Sequence, residues 1–309
     1  MPSYTKPTDY PVQNPVLTGV LAKIVAAESF AQGRRDTAFP TLVRYSDAGK
    51  CARAIALERI LPESEDPASI DVAGEFRMWL GSLIHDHVQS AIIETYGGTA
   101  EKTSQLGVSC ARTGDADDAL AAGHADWVGV IDATELGRIC FELKTVGAFA
   151  FDQAVGLNRR AYQRGHPHGP KAAAKLQGAL NAVANDCDTL IIGLISMEAV
   201  SIQLAEKVDM TDLDRICGEW HYSRAEFMPW ATAELERAEM IDKELLAGVL
   251  PPRIAVGDEM ESIALTPENV QSDTGVPKQW NCAYCRCRDA CVRIGPGIVQ
   301  IESLIEATG

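Results

Sequence analysis

The amino-acid sequence predicts a mixed α/β (α+β) fold, on three observations. Residues 75–96 place apolar side chains at helical spacing, which is typical of a long amphipathic helix. Residues 101–146 change to short alternating and β-branched runs separated by turn sequences, which indicates strands. An alanine-rich stretch at 171–185 and the apolar run 189–197 add another helix and another strand.

The composition sets bounds on the class of protein. The chain has 309 residues of which 46% are hydrophobic, enough for the core of one large domain or two modest ones. We find no targeting signal at the N-terminus, and the longest apolar run, 190–197, is too short to span a bilayer. Nine cysteines without a secretory signal argue against a disulfide framework. We therefore expect a cytoplasmic protein with reduced thiols and no membrane contact.

The charge argues against a protein that binds phosphates over its whole surface. Lys and Arg total 28 against 43 Asp and Glu, a formal net charge of −15. Residues 159–175 depart from this trend because they contain no acid, and they predict a local DNA contact. The basic side chains of this window are Arg159, Arg160, Arg164, Lys171 and Lys175. The alternative is an ordinary solvated loop that happens to be basic.

The elements follow in chain order. Prolines punctuate an N-terminal arm, Ser46 is a suitable N-cap for a helix through Cys51 to Ile60, and the helix 75–96 contains His85. Three antiparallel strands occupy 101–146. After the helix 171–185 and the strand 189–197, we expect another strand near 200–208 and a helix over 211–247, with a break or kink at Pro229.

The chain divides into five segments that together form one compact unit. These are an N-terminal arm (1–45), a helical part (46–98), a central core (99–210), a long helical segment (211–250) and a cysteine-containing C-terminal segment (251–309).

The sequence FELKTV indicates a cation site on a strand. Residues two apart on a strand share a face, so Glu142 and Lys144 project together. If the strand GHADWVGVID is the hairpin partner, Asp126 reaches the same patch, and two carboxylates on neighbouring strands can bind a hard divalent cation. The alternative is that all three side chains lie on the solvated face of a meander.

A histidine in the long helix is the candidate third ligand. His85 lies over Gly81, which has no side chain and leaves room for an approaching ion or backbone. His87 lies closer to the apolar stripe and is expected to pack in the core, although the two roles could be exchanged. His124 is expected to contact Asp126 without binding the cation itself.

Four cysteines near the C-terminus indicate a further metal site. Cys282, Cys285 and Cys291 form C-x2-C-x5-C with Cys287 between them, and these four thiols could close a local zinc site. The remaining cysteines are scattered, and for most of them a small buried hydrophobe is the default interpretation.

Several motifs in a fixed order carry a resemblance to a known family. They are a lone cysteine in SDAGKCARAIALERI, the histidine of GSLIH, then GHAD, ELK and KLQGALN, and finally C-x2-C-x5-C. From 46 to 291 this order resembles RecB-like PD-(D/E)XK nucleases with iron–sulfur clusters. The most similar type is the CRISPR-associated exonuclease family, the fourth of the Cas proteins, which is related to AddB-type nucleases.

The resemblance implies a fold and its cofactors. The fold would be a restriction-endonuclease-like core, a mixed sheet flanked by helices, with an iron–sulfur subdomain joining the N- and C-terminal parts. A [4Fe–4S] cluster would take Cys51, Cys282, Cys285 and Cys291 as its ligands, which leaves Cys287 as a spare thiol.

The resemblance also implies the reactive residues. Mn²⁺ or Mg²⁺ would be held by His85, Asp126, Glu142 and a backbone carbonyl near Leu143, with Lys144 and Gln177 completing the catalytic set. In the family a tyrosine usually follows that glutamine by four residues, whereas this chain has Asn181.

The implied activity is a metal-dependent DNA exonuclease acting on single strands or DNA ends, with CRISPR or recombination proteins as further partners. Two alternatives are a nuclease-fold adaptor with weak catalysis and a scaffold carrying a zinc interaction module.

Overall fold

A mixed sheet of six strands forms the centre of the computed structural model. The model describes residues 41–60, 72–109, 119–132, 134–161, 163–165, 167–251, 254–256, 262–264, 285, 287, 290–291, 294 and 299–301. The strands are β1 (Thr41–Arg44), β2 (Thr99–Val108), β3 (Ala119–Val130), β4 (Arg138–Val146), β5 (Leu157–Asn158), β6 (Gln163–Arg164), β7 (Thr189–Ser196), β8 (Cys217–Ser223), β9 (Val249–Leu250), β10 (Ile254–Val256), β11 (Ser262–Ala264) and β12 (Val299–Gln300). The helices are α1 (Ala52–Ile60), α2 (Val72–Tyr96), α3 (Ala148–Val155), α4 (Ala172–Ala184), α5 (Ile202–Lys207) and α6 (Arg224–Leu246), with a 3₁₀ turn at Tyr45–Asp47.

The central sheet has the order β1-β3-β4-β7-β8, with β2 also paired to β3. The β1–β3 and β4–β7 pairs are parallel, whereas β2–β3, β3–β4 and β7–β8 are antiparallel. The mixed sheet flanked by helices is therefore confirmed, as are the three antiparallel strands over 101–146. The short pairs β5–β6, β9–β12 and β10–β11 lie outside this sheet.

Helices cover both faces of the sheet. On one face Ile92 of α2 packs against the cluster of Trp127, Ile139 and Ile191. On the other face Gly178 of α4 lies against Leu190, one of the main core residues. Glycine is required there because a Cβ atom on residue 178 would come within 2.8 Å of Leu190 Cδ1. Helix α6 packs against α4 and also contacts β3 and β8 of the sheet.

Two sequence predictions for the chain after β7 are wrong. The expected strand near 200–208 is the helix α5, because the Ser201 hydroxyl accepts a hydrogen bond from the Leu204 N–H at 3.3 Å and caps a helical turn. The expected helix 211–247 begins only at Arg224, since residues 217–223 alternate in exposure and pair with β7 as β8. A capping box between Ser223 and Glu226 starts α6.

Two helix details also differ from expectation. Ser46 does not cap α1 but lies in the 3₁₀ turn, and Gly49, with φ +75°, separates that turn from the helix that begins at Ala52. Pro229 does not break α6. It lies in the second turn, where only one backbone hydrogen bond is lost and packing of Phe227 and Ala231 holds the helix in place.

Some predictions lie outside the described residues. These are the arm over residues 1–40, Cys282 and the side chain of Arg164. Within the described ranges, no helix combines the length and apolar character that crossing a membrane requires.

Candidate active site

The site forms where two central strands separate. Pairing of β3 with β4 ends at Trp127 and Phe141, while β4 continues beside β7 as far as Val146. Just past the last pair, the N–H of Leu143 donates a 2.6 Å hydrogen bond to Oδ2 of Asp126. The carboxylate of Asp126 thus takes the place of a strand partner. The predicted contribution from Leu143 was its carbonyl, whereas the group that contacts Asp126 is its amide.

Glu142 and Lys144 project together from β4, as the strand alternation predicts. The Lys144 ammonium donates to Glu142 Oε1 at 2.5 Å and to Gln177 Oε1 of α4 at 3.1 Å. Asn181, one turn further along α4, donates to Glu142 Oε2 at 3.1 Å. Glu142 is 1% exposed and Asp126 is 7% exposed. The interpretation as a solvated meander face is therefore wrong for both carboxylates.

His85 approaches the site from α2. Its Nδ1 lies 3.4 Å from Asp126 Oδ1. The space over Gly81 is filled by the Thr145 side chain of β4, since a Cβ atom on residue 81 would lie 2.7 Å from Thr145 Oγ1. His87 is exposed, and its Nδ1 lies 2.9 Å from the Leu83 carbonyl, so the expectation that it packs in the core is wrong.

The electrostatics differ between the two carboxylates. Burial raises the pKa of Asp126, but hydrogen bonding to His85 and the charges of His85 and Lys144 outweigh it and leave the pKa below its usual value. Burial keeps the pKa of Glu142 above its usual value despite the opposing charge of Lys144. Burial lowers the pKa of Lys144, but Glu142 and Asp126 more than compensate and hold it above its usual value. The site is therefore arranged to keep Lys144 cationic.

The ligand atoms of this site suit a divalent cation, although in the structure they are already hydrogen-bonded to protein groups. Two buried carboxylates and an imidazole are ligands that Mg²⁺ and Mn²⁺ accept. Within the described ranges, no three His, Cys, Asp or Glu side chains are arranged as a metal centre. Each carboxylate oxygen instead contacts a protein donor, and Asn181 Oδ1 is buried without a partner. A metal would have to replace some of these contacts.

Gln89 and Glu101 also contact this network, and the sequence analysis missed both of them. Gln89 of α2 donates through Nε2 to Glu101 Oε1 at 2.7 Å and to Asp126 Oδ1 at 3.3 Å. His124, predicted to support Asp126, lies 3.1 Å from Glu101 Oε2 instead. The spacing of Gln89 four residues after His85, on the same helix face, is the sequence signal that would have found it.

The side chains of the basic window differ in their surroundings. Arg159 is bound to Asp152 at 2.5 Å, and the Lys175 ammonium lies 5.6 Å from the ring centroids of both Tyr222 and Trp230. Arg160 and Lys171 are exposed. These side chains lie in α4, the helix that contains Gln177, and in the segment that leads to it.

One of the C-terminal cysteines, Cys287, lies beside the first helix. The Cys51 carbonyl accepts from the Ile55 N–H, which places Cys51 at the start of α1. The Cys287 thiol lies 3.8 Å from the Ala54 carbonyl in the first turn of that helix. A hydrogen bond from Cys287 lowers the pKa of Cys285 to about 7. The Cys287 thiol therefore lies beside the first turn of α1, near Cys51, and Cys285 contacts it.

Comparison with known proteins gives only distant structural likenesses. No family model and no curated protein matches the chain. The solved structure of SSO0001 is 15% identical, with a TM-score of 0.46, over 90% of this chain and 98% of that one. An alkaline exonuclease from Laribacter hongkongensis is 13% identical, with a TM-score of 0.32, over 66% of this chain and 90% of its own.

A phage-related exonuclease from Haemophilus somnus 129PT is 14% identical, with a TM-score of 0.31, over 66% of this chain and 95% of its own. At such identities and TM-scores these likenesses carry no argument about activity. The function of this chain has to be inferred from the geometry where β3 and β4 separate.

Proposed function

We propose that the protein is a metal-dependent deoxyribonuclease that hydrolyses DNA phosphodiester bonds as an exonuclease. The observation that carries the proposal is the meeting of Asp126, Glu142 and Lys144 at the point where β3 and β4 separate. Two buried carboxylates close to each other and to a half-buried ammonium are costly to fold, even though each of their oxygens has a protein donor. Phosphodiester hydrolysis uses this combination of groups.

The divalent ion would be Mn²⁺ or Mg²⁺, held by His85, Asp126 and Glu142. When bound it would polarise a phosphoryl oxygen of the substrate and lower the pKa of a bound water molecule. The residues of the chain would do the rest. Lys144 would orient the attacking water and offset the negative charge that develops on the phosphorus oxygens, and Gln177, which already contacts its ammonium at 3.1 Å, would hold it there.

DNA would approach along the basic window on the α4 side. Arg159, Arg160, Arg164, Lys171 and Lys175 would contact phosphates in a chain that is otherwise acidic, which favours a single strand or a DNA end over a long duplex. Asn181 is fully buried, so it does not offer a base the stacking surface of the tyrosine usual in the family. The contacts of Arg159 and Lys175 would have to exchange for phosphate contacts.

A structural [4Fe–4S] cluster on Cys51, Cys282, Cys285 and Cys291 completes the proposal. It is supported by the position of Cys285 and Cys287 near the start of α1. Such a cluster would join the two ends of the chain. CRISPR or recombination proteins are the partners that the family resemblance suggests.

An adaptor with weak catalysis is the second candidate. It is favoured by the hydrogen bonds of Glu142, because Lys144 and Asn181 each bind one of its oxygens and a metal would have to replace them. A turnover measurement separates the two candidates.

The test compares Mn²⁺-dependent cleavage of a labelled single-stranded oligonucleotide by the wild type, Lys144→Ala, Lys144→Gln and Glu142→Gln. We expect each variant to lose about 100-fold or more in turnover. Lys243→Ala is the matched control, because Lys243 also lies beside a glutamate, Glu239, at 3.6 Å but on the exposed surface of α6. Circular dichroism checks that the variants fold. Equal turnover in the wild type and Lys144→Gln would contradict the proposal.

A further inference from the structure

A chain of hydrogen bonds fixes one oxygen of Asp126 from the α2 side. Its Oδ1 atom lies 3.4 Å from His85 Nδ1 and 3.3 Å from Gln89 Nε2, and these two residues are one helical turn apart on α2. Gln89 is buried, at 6% exposure. The same Nε2 atom donates to Glu101 Oε1 at 2.7 Å. One amide nitrogen therefore links Glu101 of β2 to Asp126 of β3.

Glu101 adopts a backbone conformation that is unfavourable for its residue type. Its φ is +48°, in the left-handed region that a residue with a Cβ atom rarely adopts. Neighbouring pairs join Ala100 to Trp127 and Lys102 to Ala125, so Glu101 lies directly opposite Asp126. The strained residue thus occurs at the one β2 position facing the metal-ligand candidate.

We propose that Gln89 and Glu101 are positioning residues that hold the Asp126 carboxylate ready for the divalent cation. The proposal rests on the proposed function in naming that cation. Glu101 accepts only, so it forces the nitrogen end of the Gln89 amide toward Asp126 and turns the carbonyl end away. With the Leu143 N–H on Oδ2, Gln89 then fixes the plane of the carboxylate.

The turned-over orientation of the Gln89 amide is unfavourable toward Glu101 as well as toward Asp126. A Gln89 amide turned over would direct its carbonyl oxygen at Asp126 Oδ1, and two acceptors would face each other in a buried place. Residues that hydrogen-bond to a metal ligand commonly change the metal affinity by about 10- to 100-fold, because they hold that ligand in its binding geometry. We expect an effect of this size from each member of the pair.

The experiment measures the dissociation constant of Mn²⁺ alone by calorimetry. Gln89→Ala and Glu101→Ala should each weaken Mn²⁺ binding by about 10- to 100-fold. Glu101→Gln keeps an acceptor oxygen for Gln89 and should restore most of the affinity. The double variant Gln89→Ala/Glu101→Ala should bind no more weakly than Gln89→Ala, because Glu101 acts through Gln89.

Glu219→Ala is the matched control. Glu219 is also a strand glutamate in contact with a histidine, His221, and its side chain is 55% exposed against 56% for Glu101. It lies on β8, away from Asp126, so its loss should leave the Mn²⁺ affinity unchanged. This control separates a specific effect from the general loss of an acidic charge.

Several results would overturn the proposal. Wild-type affinity in Glu101→Ala would do so, even with a lower melting temperature, because that marks a purely structural role. Equal losses in Glu101→Gln and Glu101→Ala would assign the effect to charge and not to positioning, and additive losses in the double variant would separate the two residues. Mn²⁺ binding without DNA cleavage in the wild type would contradict the proposed function alone, whereas a wild type that binds no Mn²⁺ would overturn both.

Discussion

At the residue scale, the two carboxylates of the site have different surroundings despite their common chemistry. Asp126 receives a backbone N–H and lies beside an imidazole and an amide. Its pKa is below its usual value because hydrogen bonds from His85 and the Leu143 N–H, with the charges of His85 and Lys144, outweigh burial. Glu142 is more completely buried and depends on Lys144 and Asn181 for its partners. Asn181 therefore provides a hydrogen-bond donor to a buried acid.

Replacing Asn181 tests this role. In Asn181→Ala, Glu142 Oε2 loses its 3.1 Å donor in the interior, and we expect the free energy of unfolding to fall by about 1–3 kcal/mol. Turnover should fall about 10-fold, because Glu142 is no longer held from the α4 side. Urea denaturation and the oligonucleotide cleavage assay measure the two effects.

Asn185→Ala is the matched control for this variant. Asn185 is one turn further along α4 and 5% exposed, and its Nδ2 donates to the Asn181 carbonyl at 2.9 Å, not to a carboxylate. It should lose stability without losing turnover. If both variants lost turnover equally, the contact between Asn181 and Glu142 would have no specific role.

At the scale of elements, the parts that were predicted correctly are those whose pattern comes from burial. Helix α4 buries Leu176, Ala179 and Leu180 at helical spacing, and β2 alternates half-buried with exposed residues. The errors lie where local hydrogen bonds determine the point at which a helix begins. Ser201 caps α5 within an alternating apolar stretch, and Ser223 with Glu226 starts α6 just after β8, so periodicity alone placed both boundaries wrongly.

The close packing of α2 on β4 gives a prediction at this scale. Alanine is a better helix former than glycine by about 1 kcal/mol, so Gly81→Ala would stabilise an isolated helix. In the protein the new Cβ atom would meet Thr145 Oγ1 at 2.7 Å, and we expect a net loss of about 1–3 kcal/mol in the free energy of unfolding. Urea denaturation measures it.

A second change separates crowding from other causes. Thr145→Ala removes the Oγ1 atom that the new methyl group meets, so Gly81→Ala/Thr145→Ala should recover stability relative to Gly81→Ala. A Gly81→Ala protein more stable than the wild type would show that α2 can move away from β4 at little cost.

At the scale of the whole molecule, the sequence order predicted which residues meet but not how they are paired. Asp126, Glu142, Lys144, Gln177 and His85 come together from two strands and two helices, as the motif order implied. Strand alternation could place Glu142 beside Lys144, but it could not show that the Leu143 amide binds Asp126. That contact depends on where the β3–β4 pairing ends, and the end of pairing leaves no local pattern.

The two ends of the chain give the last prediction. Cys51 lies at the start of α1, and the Cys287 thiol lies 3.8 Å from the Ala54 carbonyl in the same turn. An iron–sulfur cluster needs Cys51, whereas a local zinc site can be completed within residues 282–291 and needs Cys287 instead. The two metal sites therefore differ in which cysteine can be removed.

The measurement is the iron, acid-labile sulfide and zinc content of anaerobically purified wild type, Cys51→Ala and Cys287→Ala. We expect iron and sulfide in the wild type and in Cys287→Ala, and their loss in Cys51→Ala together with a lower melting temperature. The loss of stability follows because the cluster closes a ring containing most of the chain, and opening it restores the conformational freedom of both ends. Zinc without iron in the wild type, or metal retained by Cys51→Ala and lost by Cys287→Ala, would assign the site to zinc.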